Sequence, residues 1–221
     1  MRRLIATMIL TLALTACSQV QTTSGRDFVE RKNPDGTQMQ IDDHIAKIAN
    51  VESNLHFPAR IGVARIINGR LEIAPPAERK LMEEFAKRNK TYGSFGTVSA
   101  LVAETVTGNR NNNFALSQIR VIAARQHFDY VLIYKIDGKF GATNRWDRNR
   151  VPANTIMTQV ALIDVRNGYP YAATEAALSA NKVRWGGGGH RASFKDRATY
   201  HAAEYMMPQV QEMFAQLKAQ M

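Results

Sequence analysis

The chain has 221 residues, 45% of them apolar, which is enough for one domain with a real core, and it carries a formal charge of +10. A single cysteine rules out an intrachain disulfide framework. The apolar run near the amino terminus is shorter than the roughly 20 residues that a helix needs to cross a bilayer core, which excludes a membrane span there.

That run is the first element. Arg2 and Arg3 precede an apolar stretch from Leu4 to Leu14, followed by small residues, and these are the three parts of a secretory signal. The tetrad Leu14-Thr15-Ala16-Cys17 resembles the lipobox of bacterial lipoproteins at all four positions. The resemblance implies cleavage between Ala16 and Cys17, a diacylglyceryl thioether on Cys17 and acylation of the new amino group. Ser18, by the same resemblance, directs the product to the outer membrane. A lone exposed thiol is a liability where disulfides persist, and lipidation consumes it. The plainer readings are an ordinary residue after an ordinary signal peptide and a small buried hydrophobe. Several acyl chains, at about 0.8 kcal/mol per buried methylene, hold a protein at a membrane without a spanning helix.

Loss of residues 1–16 leaves 205 residues and, with Arg2 and Arg3 gone, a charge of +8. The acidic partners within reach of an exported basic protein are phospholipid head groups, lipopolysaccharide phosphates and peptidoglycan carboxylates; location argues against nucleic acid. The charge is spread along the chain, as on any solvated basic surface.

Residues 17–40 read as a lipidated, flexible tether with turns at Thr22 to Gly25 and Asn33 to Gly36, and residues 41–221 as the α/β domain. Ile41, Ile45 and Ile48 recur at helical spacing behind Asp42 and Asp43. Arg60 to Ile67 is a strand ending at Asn68-Gly69, a strong turn signal, with Arg70 to Ile73 as its partner. Pro75-Pro76 opens an amphipathic helix over 77–90, which Gly93 and Gly96 stop. Thr97 to Val106 is β-branched and reads as a strand, Phe114 to His127 as a helix, and Tyr130 to Tyr134 as a central strand covered on both faces. Thr155 to Val165 and Tyr169 to Ala180 flank Arg166-Asn167-Gly168 and form a hairpin. A helix from Ser193 carries an apolar stripe from Ala198 to Leu217, kinked or restarted at Pro208.

The order β-α-β-α-β, an antiparallel hairpin and a long C-terminal helix predicts a single α/β domain with a mixed sheet. The segments Phe57 to Ala64, Asp129 to Tyr134 and Ile156 to Ala173 resemble the small α/β domains of envelope lipoproteins: rhombotarget lipoproteins, curli-secretion-type lipoproteins and lipoprotein activators of peptidoglycan synthases. The resemblance carries no site residues over.

Catalytic and metal motifs are not found in the sequence. His44, His56, His127, His190 and His201 form no His-Glu-x-x-His pair, no Gly-x-Ser-x-Gly elbow is present, and no cofactor is expected. The chemical candidate is Gly186 to Arg191. Gly187, Gly188 and Gly189 let backbone amides approach a ligand, and Arg191 and Lys195 add charge at a helix start, which describes an anion site. The same glycines also suit a hinge for the last helix. The expected function is therefore a lipid-anchored, non-enzymatic binding or assembly module at the periplasmic face of the outer membrane, with envelope proteins or peptidoglycan as partners. The alternative is an envelope enzyme acting on an anionic polymer through 186–191 and the Arg145 to Arg150 loop.

Overall fold

Two turns organise the sheet. At Asn68-Gly69 both residues take positive φ, 52° and 76°, as a two-residue hairpin requires, and Ile67 pairs with Arg70 across the turn. At Arg166-Asn167-Gly168 the Asp164 carboxylate accepts from the amides of Arg166 and Asn167 at 2.7 and 3.2 Å, and Gly168 takes φ 82°.

The computed structural model describes residues 17–20, 29–30, 32–51, 54–107, 116–138, 155–179 and 194–221. Its strands are β1 (Cys17–Val20), β2 (Ala59–Ile67), β3 (Arg70–Glu72), β4 (Gly93–Thr97), β5 (Tyr130–Gly138), β6 (Thr155–Asp164) and β7 (Pro170–Ser179). Its helices are α1 (Asp43–Ala49), α2 (Pro76–Arg88), α3 (Ala100–Thr107), α4 (Leu116–Arg125) and α5 (Phe194–Ala219), with a 3-10 turn at Lys90–Tyr92. The seven strands lie in the order β1-β7-β6-β5-β2-β3, and β4 also pairs with β2. β2 runs parallel to β5 and β4, and the other pairings are antiparallel, so the expected mixed α/β sheet is present. β4 pairs with Ala59 to Val63 and β3 with Arg65 to Ile67, which places them end to end along one edge of β2.

One face of the sheet carries the main core. Ile61, Tyr130, Leu132, Ile156 and Leu162 are buried against Met206, Val210, Met213 and Phe214 of α5 and Phe85 of α2. Each such side chain contributes about 1.5–3 kcal/mol by leaving water. A smaller core on the other face sets Ala64, Val131 and Ile163 against Ala103 of α3 and Ile119, Ile122 and Ala123 of α4.

Four of the expected element assignments need correction. Thr97 to Val106 is not a strand: β4 ends at Thr97, and α3 begins at Ala100 behind Ser99, whose hydroxyl accepts from the Val102 amide at 3.4 Å. That cap outweighs the β-branched side chains. Gly93 and Gly96 are strand residues rather than helix stops, because β4 passes so close to β2 that a Cβ on Gly93 would stand 1.8 Å from the Ala59 carbonyl oxygen. Cys17–Val20 is an edge strand paired antiparallel with β7 rather than part of a free tether. Finally, of the kink or restart expected at Pro208 the restart does not occur, since α5 runs through it as one helix. Pro208 and Glu204, the residue whose carbonyl it cannot bond, both lie on the exposed side of the helix, while Met206, Met207 and Val210 are packed in the core.

Candidate functional site

The residues singled out for chemistry fall in different places. Cys17 opens β1, as the register partner of Glu175. Lys195 is the second residue of α5. Gly187, Gly188, Gly189 and Arg191 lie outside the described residues, as does the Arg145 to Arg150 loop. Among the described residues, no three His, Cys, Asp or Glu side chains gather as a metal site would need.

The register of the sheet assembles a site that no local motif announces. Ile66, Lys135, Gln159, Glu175 and Cys17 are successive partners across β2, β5, β6, β7 and β1, and so form one row across five strands. The next row is Ala64, Ile133, Ala161, Ala173 and Gln19. Helices α3 and α4 bury Ala64, Val131 and Ile163 on this face and leave Ile66, Ile133 and Ala161 only partly covered. Members of both rows, Ile66, Lys135, Gln159 and Glu175 of the first and Ile133, Ala161 and Ala173 of the second, line a groove of about 450 Å³ among the described residues. Its apolar side is Ile66, Ile133, Ala161 and Ala173; its polar side is Lys135, Gln159 and Glu175. Gln159 donates to Glu175 at 3.2 Å, and Lys135 pairs with Asp137. An amphipathic trough of this kind suits a ligand or a polypeptide segment with one apolar and one polar edge.

A second polar assembly lies where β5 begins and β6 ends. The Tyr130 hydroxyl accepts from the His56 amide at 2.9 Å and lies 2.9 Å from His56 Nδ1. The Asn54 amide donates to the Tyr171 hydroxyl at 3.2 Å, and that hydroxyl donates to Asp164 at 3.0 Å. Burial raises the pKa of both tyrosines, and the Asp164 charge pushes both further the same way. Both hydroxyls therefore stay protonated at neutral pH, and they latch residues 54–56 to the sheet by accepting from the amides of Asn54 and His56, with Tyr130 also donating to the Asn54 carbonyl at 3.2 Å. His127, the other histidine near this end, takes φ 60° after α4; its amide bonds the Ala124 carbonyl at 2.9 Å and the Phe128 amide bonds that of Ala123 at 3.1 Å. That is a Schellman close, the capping role its position at a helix end foretells.

Sequence reasoning placed the capping histidine at its helix end. It missed Lys135, Gln159 and Glu175, whose only signal is long-range register, and it missed the tyrosine latch, whose members are 117 residues apart at the Asn54 and Tyr171 contact.

No protein-family model matches the chain, and no curated protein does. Several solved structures are similar to it. The C-terminal domain of LpoB from Escherichia coli matches at 20% identity over 55% of this chain and 82% of its own, with a TM-score of 0.37. Lipoprotein GNA1162 from Neisseria meningitidis matches at 18% identity over 58% of this chain and 87% of its own, with a TM-score of 0.33. The PelC dodecamer from Paraburkholderia phytofirmans matches at 16% identity over 68% of this chain and 85% of its own, with a TM-score of 0.32. At such identities and scores these likenesses assign no function, which has to come from the residues of the chain itself.

Proposed function

We propose that this protein is a lipoprotein anchored through Cys17 to the periplasmic face of the outer membrane, where its α/β domain serves as a non-enzymatic binding or assembly module of the cell envelope. Envelope proteins or peptidoglycan are its partners. The observation that carries the reading is Leu14-Thr15-Ala16-Cys17, standing behind two arginines and an apolar run and containing the only cysteine of the chain. One feature of the fold supports it. β1 begins at Cys17, at an edge of the sheet and as the register partner of Glu175, so a chain starting there would begin at the sheet. Among the described residues, no helix is long and apolar enough to cross a membrane.

Mass spectrometry of the membrane-extracted protein tests the anchor. The expected product begins at Cys17 and carries diacylglyceryl and amide-linked acyl groups; Cys17→Ser accumulates as unlipidated precursor. A wild-type chain with a free thiol at Cys17 would end the proposal. The anion-binding role of Gly187, Gly188, Gly189, Arg191 and Lys195 rests on the sequence pattern, and Arg191→Ala with Lys195→Ala is expected to weaken binding to anionic lipid vesicles at low salt.

A further inference from the structure

On the other face of the sheet, α2 stands off the strands far enough to leave a cleft of about 210 Å³ against β2, β3 and β4. α2 turns Arg79, Met82, Glu83 and Ala86 toward it, the spacing of one helical stripe. Val63, Ala74, Met82 and Phe95 make apolar walls, and Arg65 and Tyr134 lie at its floor.

The charges do not balance. Arg65, 4% exposed, is fully committed: Nε and Nη2 donate to Glu78 at 2.8 and 3.3 Å, Nη1 donates to the Ile66 carbonyl at 2.8 Å, and the guanidinium lies 5.0 Å from the Tyr134 ring centre. Glu78 is 2% exposed and also accepts from the Tyr134 hydroxyl at 3.0 Å. That pair neutralises itself. The carboxylates of Glu72, the register partner of Arg65, and of Glu83 on α2 have no hydrogen bond or ion pair among the described residues, and the guanidinium of Arg79 is likewise unpaired. Two free carboxylates against one free guanidinium give the cleft a local negative excess in a chain whose overall charge is +10.

We propose that this cleft receives a lysine or arginine side chain from a partner protein, with the aliphatic stem between Met82 and Phe95 and the cationic head between Glu72 and Glu83. Size and charge both point there. Small-molecule sites usually enclose about 300–1,000 Å³, so this volume suits a single long side chain better. Lysine and arginine are the side chains that pair an apolar stem with a charged head, and one such anchor in a fitted pocket can dominate an interface. The inference is independent of lipidation at Cys17: the anchor can be absent while the cleft still binds, and the reverse.

The test uses the full-length protein in detergent micelles, isotopically labelled for amide NMR and titrated with N-acetyl-lysine methylamide, its arginine counterpart, its norleucine counterpart and its glutamate counterpart. The cationic probes are expected to shift the amides of Glu72, Arg79 to Ala86 and Phe95 saturably, and to weaken as salt rises. Glu72→Gln with Glu83→Gln should weaken them about tenfold, as the loss of a close charge pair does. Arg79→Ala should tighten them, which no purely structural role of that residue would produce. Norleucine binding as well as lysine, glutamate binding better, or unchanged affinity in the double variant would each overturn the proposal. So would concentration-dependent shifts of the same amides without probe, because the occupant would then be a second copy of this chain.

Discussion

The ring of Phe128 lies so close over Gly62 that a Cβ on that glycine would stand 2.8 Å from the ring's Cδ2. A Cβ on Gly96, the register partner of Gly62 on β4, would stand 2.9 Å from the Cζ of the same ring. Two aligned glycines thus form a bare strip in the sheet that an aromatic ring fills, directly after the helix close at His127.

Gly62→Ala is therefore expected to overpack this contact and to cost about 1–3 kcal/mol. For a chain of this size that is a fall of several degrees in Tm, at roughly 2–4 °C per kcal/mol. Phe128→Leu in the same background should restore part of the loss by making room. A Gly62→Ala protein that melts with the parent would show that the ring is not held there.

This strip explains where the sequence was legible and where it was not. The turns at Asn68-Gly69 and Arg166 to Gly168, the strand at Tyr130 to Tyr134 and the stripe of α5 are written in neighbouring residues, and short-range rules read them. Gly93 and Gly96 read locally as breakers; their strand role depends on Ala59 and Phe128, 34 and 32 residues away in the chain. Ser99 signals a cap, but a β-branched run hides the helix behind it. Lys135, Gln159 and Glu175 look like three ordinary solvated residues until pairing sets them in one row with Cys17. Arg65, inside an apolar strand, finds Glu78 only because β3 and the start of α2 fold back over it.

That ion pair supports a second prediction. Both side chains are nearly fully buried, so their attraction is offset by the cost of leaving water, and the pair as a whole adds little stability. Breaking it is another matter. Glu78→Ala leaves the Arg65 charge uncompensated, takes away the acceptor of the Tyr134 hydroxyl and should cost about 3–5 kcal/mol by urea unfolding. Arg65→Met with Glu78→Leu should come within about 1–2 kcal/mol of wild type, since no buried charge is then left. If the double variant is as damaged as the single one, the pair holds the fold through something other than charge balance.

The two faces of β5 support a third. Leu132 is 1% exposed in the main core, whereas its neighbour Ile133 is only half-buried and lines the groove on the other face. The strand is covered fully on one side only, against the sequence expectation. Leu132→Asp should unfold the protein or cost several kcal/mol by burying a lone charge, while Ile133→Asp should cost markedly less because water reaches the groove. Equal destabilisation of the two would mean that the groove is closed in solution.

Asp129 gives a prediction with a sign in pH. Burial disfavours its charge, but the Arg60 amide at 2.9 Å, the Arg166 guanidinium at 2.7 Å and the nearby His56 outweigh that effect and hold its carboxyl below the ordinary value. A carboxyl depressed in the folded state stabilises the fold above its unfolded pKa of about 3.9. That stability is lost as pH falls through the lower, folded pKa. Arg166 is 65% exposed, so its ion pair contributes little and is screened by salt; the larger share belongs to the bond from the Arg60 amide to a carboxylate only 20% exposed. Asp129→Asn should accordingly lower stability by about 1 kcal/mol at pH 7. The gap from wild type should hold from pH 7 to about pH 5, shrink below about pH 4, and change only slightly on adding salt. Urea titrations of both proteins at pH 3, 5 and 7 measure it. A gap as wide at pH 3 as at pH 7 would show that the substitution acts through packing, and that the Asp129 charge plays no part in holding β2 to the start of β5.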